Sequence, residues 1–193
     1  TQNIDILPTI MEYWGIPETV IPHKLHGRSL LPLLSGACES IHEEIIYGYF
    51  GHEIGWNDGH YVYICAPRDA SNRPLYVYCA VPSLLRQYIG GDDGCAVNDY
   101  DRIEMGRFLS WTQYPVYRFP ADIVNFTNWT QAFRDRREFN DHSLIFDLQK
   151  DYAQLHPIVD AALERELRGR LARAMRQFDS PPEQLIRMGL EEA

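Results

Sequence analysis

The chain has 193 residues, 45% hydrophobic and 12% aromatic, with a formal net charge of −9 at neutral pH. That composition excludes a disordered chain and sustains one sizeable core, or one domain with a piece of another. The acidic balance argues against nucleic acid and anionic membranes as partners, since no face is dominated by Lys and Arg, and no run of 18 apolar residues offers a membrane span. The amino terminus is neither basic nor a signal peptide. Without an initiating methionine the chain reads as part of a longer one.

A first helix starts near Asn3 or Asp5, either of which supplies a capping oxygen, with Pro8 in the first turn where a missing N–H costs least. Ile4, Leu7, Met11 and Trp14 recur at helical spacing and form an apolar stripe that ends at Gly15, a residue suited to a left-handed terminal position. The surface that buries this stripe is expected upstream. Residues 17–28 hold Pro17, Pro22 and Gly27 and read as a linker, after which Ser29 caps a short helix to Leu34. The β-branched and aromatic runs 44–50, 60–65 and 74–80 predict three strands of an antiparallel meander, with a positive-φ turn at Asn57-Asp58-Gly59.

Further on, Gly90-Gly-Asp-Asp-Gly94 reads as an exposed loop, residues 101–108 as a short helix and 144–148 as a fourth strand. From Pro157, the residues Ile158, Ala162, Leu167, Leu171, Met175 and Phe178 trace one apolar helix face. On the outside, Glu164 with Arg168 and Glu166 with Arg170 make four-apart pairs. Ser180 and Glu183 have the spacing of a capping box for a last helix. The predicted class is α+β: a small antiparallel sheet of about four strands packed against a long carboxyl-terminal helix. No internal repeat is present.

Chemistry-bearing residues gather in two places. In the connection 51–59, His52, Trp56 and Asn57 place imidazole, indole and amide together, as a substrate-binding loop does. The plainer alternative is a hairpin turn in which Trp56 covers the core edge and His52 is solvated. In the linker, His23 and Lys24 offer a second substrate-binding candidate, because Lys24 with Arg28 supplies the positive partners an anionic ester needs; solvated linker charge is the alternative. His23 and His26 are too few for a closed metal site. The aromatic stretches 114–120 and 126–129 offer stacking faces for a sugar or material for a core, and Asn125 and Asn128 head glycosylation sequons that read as a turn. Cys38, Cys65, Cys79 and Cys95 lack zinc spacing and read as reduced thiols, with a Cys65–Cys79 bridge as the alternative. No pair of acids, no serine, histidine and aspartate in order and no glycine-rich phosphate loop stands out. No catalytic or metal-ligating residue is therefore assigned.

Four segments in fixed order carry a resemblance. Asp5-Ile-Leu-Pro-Thr-Ile10 with Trp14-Gly-Ile-Pro17, then Gly27-Arg-Ser-Leu-Leu-Pro-Leu-Leu-Ser-Gly36, resembles the sulfatase family of the alkaline phosphatase superfamily. Asp58-Gly59-His60-Tyr-Val-Tyr63 is similar to a strand start of that family, and Leu144-Ile-Phe-Asp-Leu-Gln-Lys-Asp151 to a late element, with Tyr152 where proline is common. The matches run to about residue 158 and correspond to the final third of a family member.

The resemblance implies that residues 1–28 end a large α/β catalytic domain, to which the first helix belongs. Residues 29–193 would form the carboxyl-terminal subdomain, whose loops border the substrate pocket. It implies a sulfuric ester hydrolase acting on an aryl or carbohydrate sulfate, with formylglycine and calcium held upstream and neither carried by this stretch. Cys65-Ala-Pro-Arg68 departs from the C/S-x-P/A-x-R nucleophile motif, its arginine coming one residue early in a strand end. The expected partners are the sulfate ester and the rest of the catalytic domain, with a homodimer of the piece in isolation. The alternatives are a phosphonate monoester or phosphodiester hydrolase of the same superfamily, and a glycan-binding module.

Overall fold

A computed structural model of the chain describes residues 1–80, 101–121 and 142–193. A 3₁₀ turn at Asn3–Asp5 runs into α1 (Ile6–Tyr13), and a second at Glu18–Val20 precedes α2 (Leu31–Leu34). Strands follow at Ile45–Gly48 (β1), Ile54–Asn57 (β2), Tyr61–Cys65 (β3), Tyr76–Cys79 (β4), Glu104–Gly106 (β5), Val116–Pro120 (β6) and Leu144–Asp147 (β7). Two helices, α3 (Ala161–Gln177) and α4 (Pro182–Arg187), come last.

The strands make two antiparallel sheets, one in the order β1-β2-β3-β7 and one in the order β4-β6-β5. The α+β class holds, as does an antiparallel sheet of four strands packed against the carboxyl-terminal helix, but its membership differs from that expected and a second, three-stranded sheet stands beside it. The run at 74–80 leaves the meander for the second sheet, where Tyr78 pairs with Arg118. Its expected place is taken by β2, in which Trp56 pairs with Ile46 on one side and Tyr63 on the other. β2 is Ile-Gly-Trp-Asn, only four residues with a glycine inside, so it gives little local strand signal. The glycine lets the Tyr47 ring of β1 lie over it, 2.5 Å from where a Cβ on Gly55 would stand, so a larger residue there would displace the ring. The short helix expected at 101–108 is replaced by β5, whose Met105 and Gly106 pair with Tyr117 and Val116. Ladder bonds from β6 override a weak local preference.

α3 covers the four-stranded sheet. Its Leu167, Leu171, Ala174 and Met175 recur at i, i+4, i+7 and i+8 and pack on Trp56, Tyr63, Cys65 and Ile145, with Met188 and Leu190 closing the core. Each large side chain so buried contributes about 1.5–3 kcal/mol of transfer free energy. The helix starts later than its apolar periodicity suggests: Asp160 caps it by accepting from the amides of Ala162 (2.9 Å) and Leu163 (3.0 Å). Ile158 instead donates its N–H to the Ile145 carbonyl at 2.7 Å, extending the sheet edge. Of the two expected surface pairs, Glu166–Arg170 forms at 2.7 Å, whereas Arg168 turns to the carbonyl of Gly189. The capping box at 180–183 is not made either, because the Glu183 carboxylate accepts from the Tyr78 hydroxyl and ties α4 to the second sheet.

Other expectations hold. Gly15 and Gly59 have φ of +65° and +88°, and Ser29 Oγ accepts from Leu31 N at 3.2 Å. Cys38 and Cys65 are thiols, so the Cys65–Cys79 bridge is absent. Val116 and Phe119 from the aromatic stretch 114–120 are buried and fill a core. The loop 90–94, Cys95, both sequons and residues 126–129 lie outside the described residues. Among the described residues no helix is long and apolar enough to cross a membrane.

Candidate functional site

His52 sits in the turn between β1 and β2, directly after Gly51, whose φ of +74° allows the reversal. Its backbone is fixed twice: its N–H donates to the Tyr49 carbonyl at 3.1 Å, and its carbonyl accepts from Arg187 Nη1 at 3.0 Å. Arg187 comes from α4, is almost fully buried, and also donates to Asn72 Oδ1 (2.7 Å) and Gln184 Oε1 (2.9 Å). Asn72 in turn donates to the Gly51 carbonyl at 2.6 Å. Burial lowers the Arg187 pKa to about 10, which leaves the guanidinium charged at neutral pH. The imidazole of His52 is 12% exposed, with Nδ1 at 3.8 Å from the Glu53 carboxylate. The turn is thus held from behind by a buried cation and presents only an edge of its histidine.

Trp56 and Asn57 serve the fold. The Trp56 side chain is 0% exposed, its indole N–H donates to Glu44 at 2.8 Å, and the Arg170 guanidinium stands 5.7 Å from the ring centre. It therefore presents no face to a substrate. Asn57 Oδ1 accepts from the Gly59 amide at 2.6 Å, while Asp58 Oδ1 accepts from the amides of His60 and Tyr61. These bonds shape the turn.

The second candidate group is gathered by Asp179, just past the end of α3. Lys24 Nζ donates to Asp179 Oδ2 at 2.6 Å and to the Gln177 carbonyl at 3.2 Å. His26 Nε2 lies 2.7 Å from the same oxygen, and Ser110 Oγ donates to Oδ1 at 3.2 Å. Lys24 foremost, then His26, pulls the Asp179 carboxyl down to about 2. His23 packs edge-on against Trp111 with ring centres 5.8 Å apart. The Lys24 charge is therefore answered within the chain, and residues 23–26 form a strap across the end of α3. Ser110 and His26 bond opposite oxygens of one carboxylate; a relay that activates serine needs the histidine in the middle. The cluster is an electrostatic clamp.

A third polar centre escaped the sequence reading except as a helix cap. The carboxylate of Asp5 is fully buried and accepts from the amides of Gln2 (2.7 Å) and Arg28 (3.0 Å), with His42 Nε2 at 2.9 Å. Nothing in local spacing announces that residues 5, 28 and 42 meet.

The groups a sulfatase-type site requires do not fit the described residues. Cys65 Sγ is buried at the end of β3 and lies 3.6 Å from the Ala66 carbonyl, and burial pushes its thiol pKa up. A catalytic nucleophile needs access and activation. The carboxylates of Asp5, Asp147 and Asp179 face N–H groups and cations, as where Lys150 Nζ meets Asp147 at 2.7 Å; they lack the convergent oxygens that calcium takes. No protein-family model and no curated protein matches this chain.

Proposed function

We propose that the chain is the carboxyl-terminal support of a sulfatase-type hydrolase, with the bond-breaking groups on polypeptide of the same enzyme that precedes it. In this reading residues 1–28 belong to the catalytic domain. The remainder scaffolds it, and the turn carrying His52 and the strap carrying His23 and Lys24 border the substrate pocket.

One observation carries the reading: the residue types of the two amino-terminal segments answer one another atom by atom. Asp5 Oδ1 accepts from Arg28 N at 3.0 Å, and Thr9 Oγ1 accepts from Leu30 N at 2.8 Å while donating to the Asp5 carbonyl at 2.6 Å. Gly27 passes so close to the helix start that a Cβ there would stand 1.9 Å from the Ile4 carbonyl oxygen. Asp5, Thr9 and Gly27 are thus each required by one packing arrangement, which gives the resemblance a physical basis beyond punctuation. The exposed apolar side chains of α1 add support, since a helix apolar on both sides is suited to the interior of a larger domain.

The test compares the whole protein with residues 1–193 alone on aryl sulfate, carbohydrate sulfate and phosphodiester substrates. Sulfate release by the whole protein and none by the isolated chain is expected. Turnover by the isolated chain, or a whole protein that cleaves only the phosphodiester, overturns the proposal.

A further inference from the structure

Beneath the carboxyl terminus lies a cavity of about 410 Å³ lined by Ala66, Arg68, Arg168, Met188, Gly189, Glu191 and Glu192. Its volume falls in the range of roughly 300–1,000 Å³ common to small-molecule sites. The lining is graded. Met188 and Ala66 are buried and apolar, Arg168 is half-buried, and Arg68, Glu191 and Glu192 are exposed at the mouth.

Arg168 is the unusual member. Its Nη2 donates to the carbonyls of Gly189 and Met188, both neutral acceptors. Among the described residues no carboxylate lies within ion-pairing distance of it; Glu164, one turn back on α3, acts on it only from farther away. Two main-chain oxygens aim the guanidinium, Tyr63 and Glu164 act on it from the sheet and from α3, and no carboxylate among the described residues pairs with it directly. Gly189 adopts a left-handed conformation at φ +63° that favours glycine, and the Arg168 and Arg68 side chains stand beside it. At the mouth, Arg68 holds Glu191 only loosely, at 3.4 Å, with both side chains about half exposed.

At the mouth two carboxylates, Glu191 and Glu192, outnumber the one cation, Arg68, so the rim carries a net negative charge that disfavours a simple anion. A ligand with a carboxylate at one end and an ammonium at the other meets the charges in the order they occur. We propose that this cavity binds a small zwitterion of the amino-acid type, with its carboxylate on Arg168 and its ammonium toward Glu191 and Glu192. The inference does not rest on the sulfatase reading.

The probes are L-leucine, leucinamide, N-acetyl-leucine and inorganic phosphate, titrated into the whole protein and followed by calorimetry. Leucine is expected to bind saturably, and both capped forms at least about tenfold more weakly, because each loses one charge-assisted contact. Arg168→Gln is expected to weaken leucine by about tenfold or more. Should that variant fail to fold, the exposed pair Glu191→Gln and Glu192→Gln decides: it is expected to weaken leucine and leave N-acetyl-leucine no weaker. Absence of saturable leucine binding, phosphate or N-acetyl-leucine binding as tightly as leucine, or affinity unmoved by the substitutions overturns the proposal.

Discussion

The carboxylate of Asp5 is out of water on every side and answers three donors from three separate places in the chain: Gln2, Arg28 and His42. Burial by itself would raise its pKa. The amides of Arg28 and Gln2 and the bond to His42 outweigh burial and hold it below the ordinary carboxylate value. A carboxyl depressed in the folded state stabilises the fold above the unfolded carboxyl range, and that contribution is lost as pH falls through the folded value. Asp5→Ala removes the acceptor and leaves its donors without a partner, at an expected cost of about 3–5 kcal/mol. Urea midpoints at neutral and acidic pH check this: the gap between wild type and variant narrows on acidification, and a gap that stays constant refutes the assignment. At this scale the sequence was partly legible. Capping chemistry marked Asp5 because a cap is a local device, but its bonds to residues 28 and 42 are set by tertiary packing that no spacing encodes. Lys24 was legible as a cation and not as a paired one, since Asp179 lies 155 residues away.

Among the elements, those with strong periodicity were readable and those held by neighbours were not. α3 follows from Leu167, Leu171 and Met175 on one stripe, and β3 and β7 from dense aromatic and β-branched runs. β2 exists because it borrows its bonds from β1 and β3, and β5 because it borrows them from β6; β2 lies within the connection read as a loop. That is why Trp56 looked available in sequence and is core in the structure: a strand in the middle of a sheet, covered by α3, turns its indole inward. The strap at 23–26 has no regular structure of its own and is held by Asp179, which occupies a left-handed conformation at φ +52°. Asp179→Asn retains tolerance of that backbone and removes the charge, so it isolates the electrostatic part. Faster tryptic cleavage after Lys24 is expected for the variant. Because the Asp179 carboxyl is held near 2 by Lys24 and His26, the wild-type strap stays closed through mild acid and loosens only as pH approaches that value. High salt is expected to quicken cleavage of the wild type and leave the variant little changed, since exposed pairs are screened. Equal cleavage rates for the two proteins would show that the clamp does not hold the strap.

At the scale of the molecule, the two faces of α1 set the question of what this unit packs against. One face is satisfied internally through Pro8 and Met11, with Asp5 at the helix start. The other carries Ile4, Ile6, Leu7, Ile10, Tyr13 and Trp14, followed by Ile16 and Val20, with exposures from 42% at Ile16 to 71% at Trp14. The stripe expected from sequence was Ile4, Leu7, Met11 and Trp14, of which only Met11 is covered here. Periodicity identifies apolar residues on a helix; it does not say which partner buries each one. A contiguous apolar surface of this kind is a binding surface in whatever assembly completes it. If the proposed hydrolase supplies the cover, residues 1–193 alone should associate and bind a hydrophobic dye, and sedimentation should report a mass that rises with concentration. Ile6→Glu with Trp14→Glu should return the isolated chain to a monomer with its far-ultraviolet dichroism and thermal transition intact, because neither side chain belongs to the core. In the whole protein the same pair of charges would be forced into a covered interface, where an unpaired buried carboxylate costs several kcal/mol, and the melting temperature should fall sharply. A whole protein indifferent to both substitutions would mean that this face stays in water, and that α1 is not the junction with the catalytic domain.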